Sequence, residues 1–294
     1  MTFASTGLVY QQNGVPQPLT GVTTTAADAN KGFSGVTARA EVDYKPVDTV
    51  LLYLSYNRGN KSGGYTFSAG TPFPNGVTDY FNGILFKPET LNSFEAGVKS
   101  TLSSNTTLNL SAFIYDYKDY QGFEQVGVVQ AIKNLDARAS GLEVELVSRP
   151  LQGLLLQANA SMLSSEVKHV LLPDGVTYVN HDLPQSPHFS GAAVARYQAP
   201  AGWYGQADVQ YTSHFCFSVL CAPVEEENSY SVVNARLGYQ HNAFDIYAYA
   251  ENLANSRYRT FTGDNSTVAG FVYSIYGPPH TYGVGVTYQF GGNR

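Results

Sequence analysis

Residues 280–290 (HTYGVGVTYQF) decide how the rest of the chain is read. Tyr282, Val284, Val286, Tyr288 and Phe290 fall on one face of an extended segment, and Thr281, Gly283, Gly285, Thr287 and Gln289 on the other. A period of two, with aromatics at both ends of the apolar set and small or polar residues opposite, describes a strand with lipid on one side and water on the other. A soluble sandwich strand shows the same alternation. It seldom sets a Tyr-x-aromatic pair almost at the chain terminus.

The pattern recurs upstream. Alternation and turn residues together predict about eleven strands, near 34–44, 50–61, 91–100, 106–118, 136–149, 154–168, 187–198, 203–216, 230–240, 244–254 and 280–290. In the first, Val36, Ala38, Ala40, Val42 and Tyr44 oppose Thr37, Arg39, Glu41 and Asp43; in the fifth, Leu142, Val144 and Leu146 oppose Glu143 and Glu145. Short connections at 45–49 (KPVDT), 101–105 (TLSSN), 150–153 (PLQG), 199–202 (APAG) and 241–243 (HNA) alternate with long ones at 62–90, 119–135, 169–186, 217–229 and 255–279. Compact soluble domains rarely keep several loops above ~15 residues on one side. Outer-membrane barrels do so as a rule, with short periplasmic turns and longer extracellular loops. Aromatics bracket the short turns (Tyr44; Tyr197 with Trp203 and Tyr204; Tyr239 with Phe244; Tyr288 with Phe290), where an interfacial girdle belongs. Residues 2–10 are a candidate twelfth strand, followed by a loop through residue 32.

Composition agrees. Charged residues are 14% of the chain, against ~25% in an ordinary soluble domain. Mean hydropathy is −0.17, and no stretch approaches the ~18 consecutive apolar residues of a membrane helix. Tyr 22 and Phe 16 against Met 2 suit a β-rich surface that needs amphipathic rings more than a packed interior. Few segments are apolar on both faces, so no large core is expected. A net charge of −6 without any basic stripe argues against a nucleic-acid partner. The opening MTFASTGLVYQQ has neither a basic n-region nor a continuous apolar h-region. An outer-membrane protein needs such a leader, so the expectation is that the chain starts inside a longer protein.

Several segments resemble the C-terminal barrel half of TonB-dependent outer-membrane receptors: 52–65 (LYLSYNRGNKSGGY), 86–100 (FKPETLNSFEAGVKS), 110–120 (LSAFIYDYKDY), 134–145 (NLDARASGLEVE), 250–258 (AENLANSRY) and 277–290 (GPPHTYGVGVTYQF). The PE-x-x-x-SFEAG-x-K and ENL-x-N-x-x-Y runs are the most specific. The resemblance implies an all-β, antiparallel up-and-down transmembrane barrel of 22 strands, about half of them here, filled by an N-terminal plug. It also implies import of iron–siderophore complexes, vitamin B12 or glycans, driven through the inner-membrane partner TonB. Other implied partners are outer-membrane lipid and lipopolysaccharide, the barrel assembly machinery, and a small-molecule ligand such as an iron–siderophore. With no plug or TonB-contacting box in this sequence, TonB acts only through a plug outside it, and the chain is expected to import nothing alone. Domains follow: 1–33, an N-terminal strand and loop; 34–290, the barrel portion; 291–294, a short tail, with Tyr288 and Phe290 as the C-terminal assembly signal.

Candidate sites lie mostly in the long connections. Cys216 and Cys221 are the only cysteines, and an assembly route through the oxidising periplasm makes a local disulfide the expectation, with free thiols the alternative. Two cysteines with only His214 nearby do not complete a metal site. Aromatic clusters at Tyr65, Phe67, Phe73, Tyr80 and Phe81, at Tyr117, Tyr120 and Phe123, and at Tyr258, Phe261, Phe271, Tyr273 and Tyr276 form a candidate ligand vestibule. Each taken singly reads rather as loop packing, and the clusters count only as a region. His169, His181, His188, His214, His241 and His280 have no ligand spacing and read as ordinary loop histidines; the run Glu225, Glu226, Glu227 reads as a solvated loop. Glu143, Glu145, Asp208, Glu251, Arg196 and Arg236 are expected to face the barrel interior. No nucleophile elbow, P-loop, dinucleotide fingerprint or HExxH occurs, so no enzyme, cofactor or metal is expected. Two other functions stay open on sequence alone: a small self-contained outer-membrane channel or adhesion barrel, and a soluble secreted glycan-binding sandwich.

Overall fold

A strand whose side chains alternate between apolar and polar can bury neither set unless its neighbours keep the same register. In the computed structural model, which describes residues 9–12, 15–18, 31–65, 85–126, 129–172, 176–266 and 270–290, that register holds across one sheet. Eleven strands follow one another as an antiparallel meander: β1 (Ala38–Val47), β2 (Val50–Lys61), β3 (Glu89–Ser103), β4 (Thr106–Val126), β5 (Val129–Ser148), β6 (Leu154–Leu171), β7 (Phe189–Gln198), β8 (Trp203–Thr212), β9 (Tyr230–His241), β10 (Phe244–Glu251) and β11 (Thr281–Tyr288). The short strand Tyr178–His181 adds to β6. Among the described residues, β1 and β11 end the path and do not pair with each other. The sheet is therefore an open part of a barrel.

Two rows show what the register achieves. Val42, Leu54, Ala96, Ala112, Leu142, Met162 and Phe189 lie directly opposite one another across seven strands. Asp43, Tyr53, Gly97, Ser111, Glu143, Ser161, Ser190, Thr212 and Tyr230 form the adjacent row on the other face. The apolar face stays uncovered by protein: Val284 is 83% exposed and Leu142 57%. Apolar side chains left on the outside of a polar wall need lipid, not water. At the short-turn end Trp203 packs on Tyr239, Phe244 on Tyr288, and Tyr288 on Phe290, completing the aromatic girdle.

The polar face uses glycine for close approach. The ring of Phe113 lies across Gly141 on the next strand, where a Cβ would stand 2.6 Å from it. Tyr53 over Gly97, Tyr204 over Gly238 and Tyr249 over Gly283 repeat the arrangement. Each ring shields the backbone that glycine leaves bare. In the turns after β5 and β7, Gly153 (φ +83) and Gly202 (φ +93) take the left-handed conformation, and each accepts a hydrogen bond at 2.8 Å from the following hairpin, from Gln198 N and Gln240 N.

The structure corrects several boundaries. The expected loop at 119–135 is mostly strand: β4 and β5 pair through Val126 and Val129. A bulge between Tyr117 and Tyr120, with Asp119 at φ 54, inserts an extra residue, so the period of two breaks in sequence while pairing continues. β6 likewise passes a bulge at His169 (φ 57) to reach Leu171. The expected loop at 255–279 holds a hairpin, Arg259–Asn265 with Phe271–Tyr276. Residues 34–37 are not strand, and β1 runs on through Val47, leaving a two-residue turn. Of the expected strand at 2–10 only 9–10 is described, in the short hairpin Val9–Gln12 with Val15–Pro18; the tail 291–294 lies outside the described residues. A small core, not anticipated, joins Ala137, Val167, Val170 and Val219 at the long-loop end.

Candidate functional site

Every second residue of β8, β9 and β10 projects to the polar face, so the side chains there form a wall fixed by backbone pairing. Near its long-loop end the wall and the 252–280 connection enclose an open concavity of about 610 Å³, lined by Asp208, Asn234, Arg236, Tyr247, Asn252 and Tyr258 among others. Asn234 donates to Asp208 Oδ2 at 2.6 Å. The Arg236 guanidinium lies 3.7 Å from the Tyr247 ring centre, and Arg196 lies 4.2 Å from that of Tyr204. Tyr230 and Tyr258 stack with centres 4.4 Å apart and planes 9° apart. Burial, then the neighbouring Tyr230, raises the Tyr258 phenol above its ordinary value. A second polar hollow, about 390 Å³, lies against Arg39, Glu41, Tyr53, Glu95 and Lys99, with Tyr53 donating to Glu95 Oε1 at 2.5 Å.

Asn252 builds the rim. It is 3% exposed and sits at φ 48 just after β10. Its Nδ2 donates to the carbonyls of Ser256 and Pro278, each at 2.9 Å, and its Oδ1 accepts from Ser256 N. Its own N–H donates to Asn234 Oδ1, and Asn255 Oδ1 accepts from His280 N. The ENL-x-N run is thus a staple that joins the two ends of the 252–280 connection. Sequence reasoning quoted the motif without finding this role. It also missed Tyr230, Tyr247 and Tyr249, although alternation puts them on the same face as Arg236 and Asp208.

The vestibule aromatics separate. Tyr258 alone among the described ones lines the larger concavity. Tyr120 packs with Tyr117 around the small core. Phe261, Phe271 and Tyr273 share one exposed face of the Arg259–Asn265 hairpin, and Tyr276 lies against Arg257. Phe123 and Tyr65 are exposed. Phe67, Phe73, Tyr80 and Phe81 lie outside the described residues. Glu143, Glu145, Asp208, Glu251, Arg196 and Arg236 all occupy polar-face positions of the register. Cys216 and Cys221 are disulfide-bonded, with Cα atoms 5.3 Å apart.

The acidic run is solvated only at Glu226. Glu225 and Glu227 are both buried, because Glu225 accepts from Ser218 Oγ at 2.6 Å and Glu227 from Arg259 Nε at 2.6 Å. His188 pairs with Asp182 at 2.8 Å and His214 with Glu226 at 3.5 Å. No group of three His, Cys, Asp or Glu among the described residues is placed to hold a metal ion. What the site can do is hydrogen-bond and stack against a polar surface held inside the wall.

The family described as TonB dependent receptor-like, beta-barrel, matches residues 5–253. Among solved structures, the ferric yersiniabactin uptake receptor FyuA from Yersinia pestis superposes with a TM-score of 0.69 at 21% identity, over 86% of this chain and 37% of that one. The ferric-catecholate import receptor Fiu from E. coli K12 gives 0.67 at 19% identity, over 94% and 37%. The siderophore receptor PiuA from Acinetobacter baumannii gives 0.63 at 18%, over 86% and 35%. At such identities the likeness concerns the fold, and the chain spans little more than a third of each of these proteins.

Proposed function

Because this chain belongs to the TonB-dependent receptor-like β-barrel family of the bacterial outer membrane, we propose that it is the C-terminal barrel portion of a receptor importing an iron–siderophore or a similar scarce nutrient. Residues 34–290 supply the barrel wall, with 1–33 and 291–294 flanking it. The two open edges need strands from elsewhere, since unpaired backbone groups are not tolerated in lipid. A plug packed against the polar wall carries the contact to TonB, so this portion alone transports nothing. Lipopolysaccharide and lipid cover the outer face, the assembly machinery reads the Tyr288–Phe290 end, and the long connections meet the ligand. The protein is a receptor rather than an enzyme.

One observation carries the reading: the stacked, hydrogen-bonding concavity opens beside the long connections on the polar side of a wall whose other side is apolar. Uptake of radioiron-loaded siderophores by a receptor-deficient Gram-negative strain tests it. Expression of the full-length protein containing this chain should restore uptake of at least one siderophore class, in a TonB-dependent manner, while residues 1–294 alone should not. Failure with hydroxamate, catecholate, phenolate and citrate complexes alike would refute iron import. Uptake by residues 1–294 alone would refute the need for a plug.

A further inference from the structure

The connection between β8 and β9 carries both cysteines, and what they close is a seated loop rather than a free tip. The turn between Cys216 and Cys221 drives Val219 to 0% exposure against Ala137, Val167 and Val170, with Tyr117, Tyr120 and Leu135 packed around it. These partners belong to β4, β5 and β6, which precede the strand leading into the loop by two to four strands. Within the loop, Leu220 N and Cys221 N donate to Ser218 Oγ, which donates to Glu225 Oε2 at 2.6 Å. The same carboxylate accepts from Ala222 N, and Phe217 N donates to the Glu225 carbonyl at 2.9 Å. The geometry of the Pro223–Glu225 turn therefore depends on the ring that the disulfide closes.

That turn is where a second connection docks. Arg259, from the 252–280 connection, donates to the carbonyls of Val224 and Glu226 and, through Nε, to Glu227 Oε2 at 2.6 Å. Its guanidinium also lies 5.7 Å from the Phe217 ring centre. A planar fork of fixed donors needs its acceptors held in matching positions. The adjacent residue, Tyr258, roofs the concavity on Tyr230, and its carbonyl accepts from Gly277 N at 2.9 Å. Gly277 has no side chain because the Tyr258 ring occupies the place a Cβ would take.

We propose that these contacts form a latch: the Cys216–Cys221 loop, seated through Val219 on β5 and β6, holds Arg259 and thereby fixes Tyr258 over the concavity. The two connections then open and close as one unit. Coupling of this kind runs through packed side chains and adjoining hydrogen bonds: Ser218 holds Glu225, and Arg259 holds the residues on either side of it, through the Val224 and Glu226 carbonyls. Closing a short ring removes conformations in which Val219 is unseated. The latch concerns the mouth of the wall and stands whichever cargo enters.

Hydrogen–deuterium exchange with mass spectrometry on the full-length protein in detergent micelles tests it. In the Cys216→Ser/Cys221→Ser variant, amides of 256–265 and Gly277 should exchange about tenfold faster, together with those of 217–227. Arg259→Ala and Val219→Ala, which both keep the disulfide, should speed exchange in both segments too, while strand amides of β8 and β9 hold their rates. Retained heat-modifiability on gels shows that the barrel is folded. If the cysteine variant fails to fold, Arg259→Ala and Val219→Ala decide the matter. Faster exchange confined to the mutated connection, in whichever variant, would overturn the latch.

Discussion

Replacing Leu142 with arginine puts a charge where the structure places lipid. Leu142 lies on β5, 57% exposed, with Ala112 and Met162 directly opposite on the neighbouring strands. It stands six residues (148 − 142) from Ser148, the last residue of β5 at the short-turn end. At ~3.3 Å per residue and a tilt of ~40°, that is roughly 15 Å along the membrane normal, close to the middle of a ~25 Å apolar band. Arginine at such a depth costs about 2–4 kcal/mol, or roughly 30- to 1,000-fold in the folding equilibrium. The control is Ser161→Lys, one strand away on the polar face and directly opposite Glu143. There the lysine meets water and a carboxylate, so the change should stay within about 0.5 kcal/mol. Denaturant titration of the full-length protein in short-chain phosphatidylcholine vesicles, with folded fraction read from gel mobility, measures both. If Leu142→Arg costs under ~1 kcal/mol, or Ser161→Lys costs more than Leu142→Arg, the two faces have been assigned the wrong way round.

Gly141→Ala should destabilise by about 1–3 kcal/mol in the same titration, because the new methyl would meet the Phe113 ring at 2.6 Å and the Met162 carbonyl at 2.5 Å; Phe113→Leu in the same chain should recover part of the loss. Asn252→Ala leaves the Ser256 and Pro278 carbonyls without their donor, and each such buried group costs about 1–3 kcal/mol; limited proteolysis should cut the 252–280 connection sooner while β9 and β10 stay intact. Tyr258 ionises above its ordinary range, so its contribution to stability is whole below the unfolded phenol value near ~10 and is lost as pH rises from there through the folded value. Ultraviolet difference titration of wild type against Tyr258→Phe should show the missing phenol titrating late, and an early transition would contradict the stacked geometry.

The main meander was legible because a wall between lipid and water leaves a strong trace. β8, β10 and β11 carry unbroken alternation, and the turns at 199–202 and 241–243 are short with glycine or asparagine where the backbone needs it. Where alternation breaks, the reading broke too. The bulges at Asp119 and His169 shift the period by one residue, and two long strands were shortened into loops. Turn-like composition at 119–135 hid pairing that is set by the neighbouring strand and not by local preference.

The site divides along the same line. Glu143, Glu145, Asp208, Glu251, Arg196 and Arg236 could be assigned to the interior by counting in twos; the same count also holds for Tyr230, Tyr247 and Tyr249, which were missed. The acidic run and the aromatic clusters could not be assigned that way. Glu225 and Glu227 look solvated in sequence, yet they are buried because Ser218 and Arg259 come to them from other turns. Tyr120 and Tyr258 look alike in sequence; one packs in a core made by three strands and two connections, and the other roofs a concavity.

Local chemistry alone was enough to mark an all-β chain, the apolar and polar faces of its strands and their order, because each strand experiences its two environments residue by residue; it left a soluble sandwich open beside the lipid-facing barrel. Tertiary structure alone decided where the strands stop, which loop residues are buried and how the mouth is held. Those features depend on partners tens of residues away, Val219 on Val167 and Arg259 on Glu227 among them, and no local period records such distances.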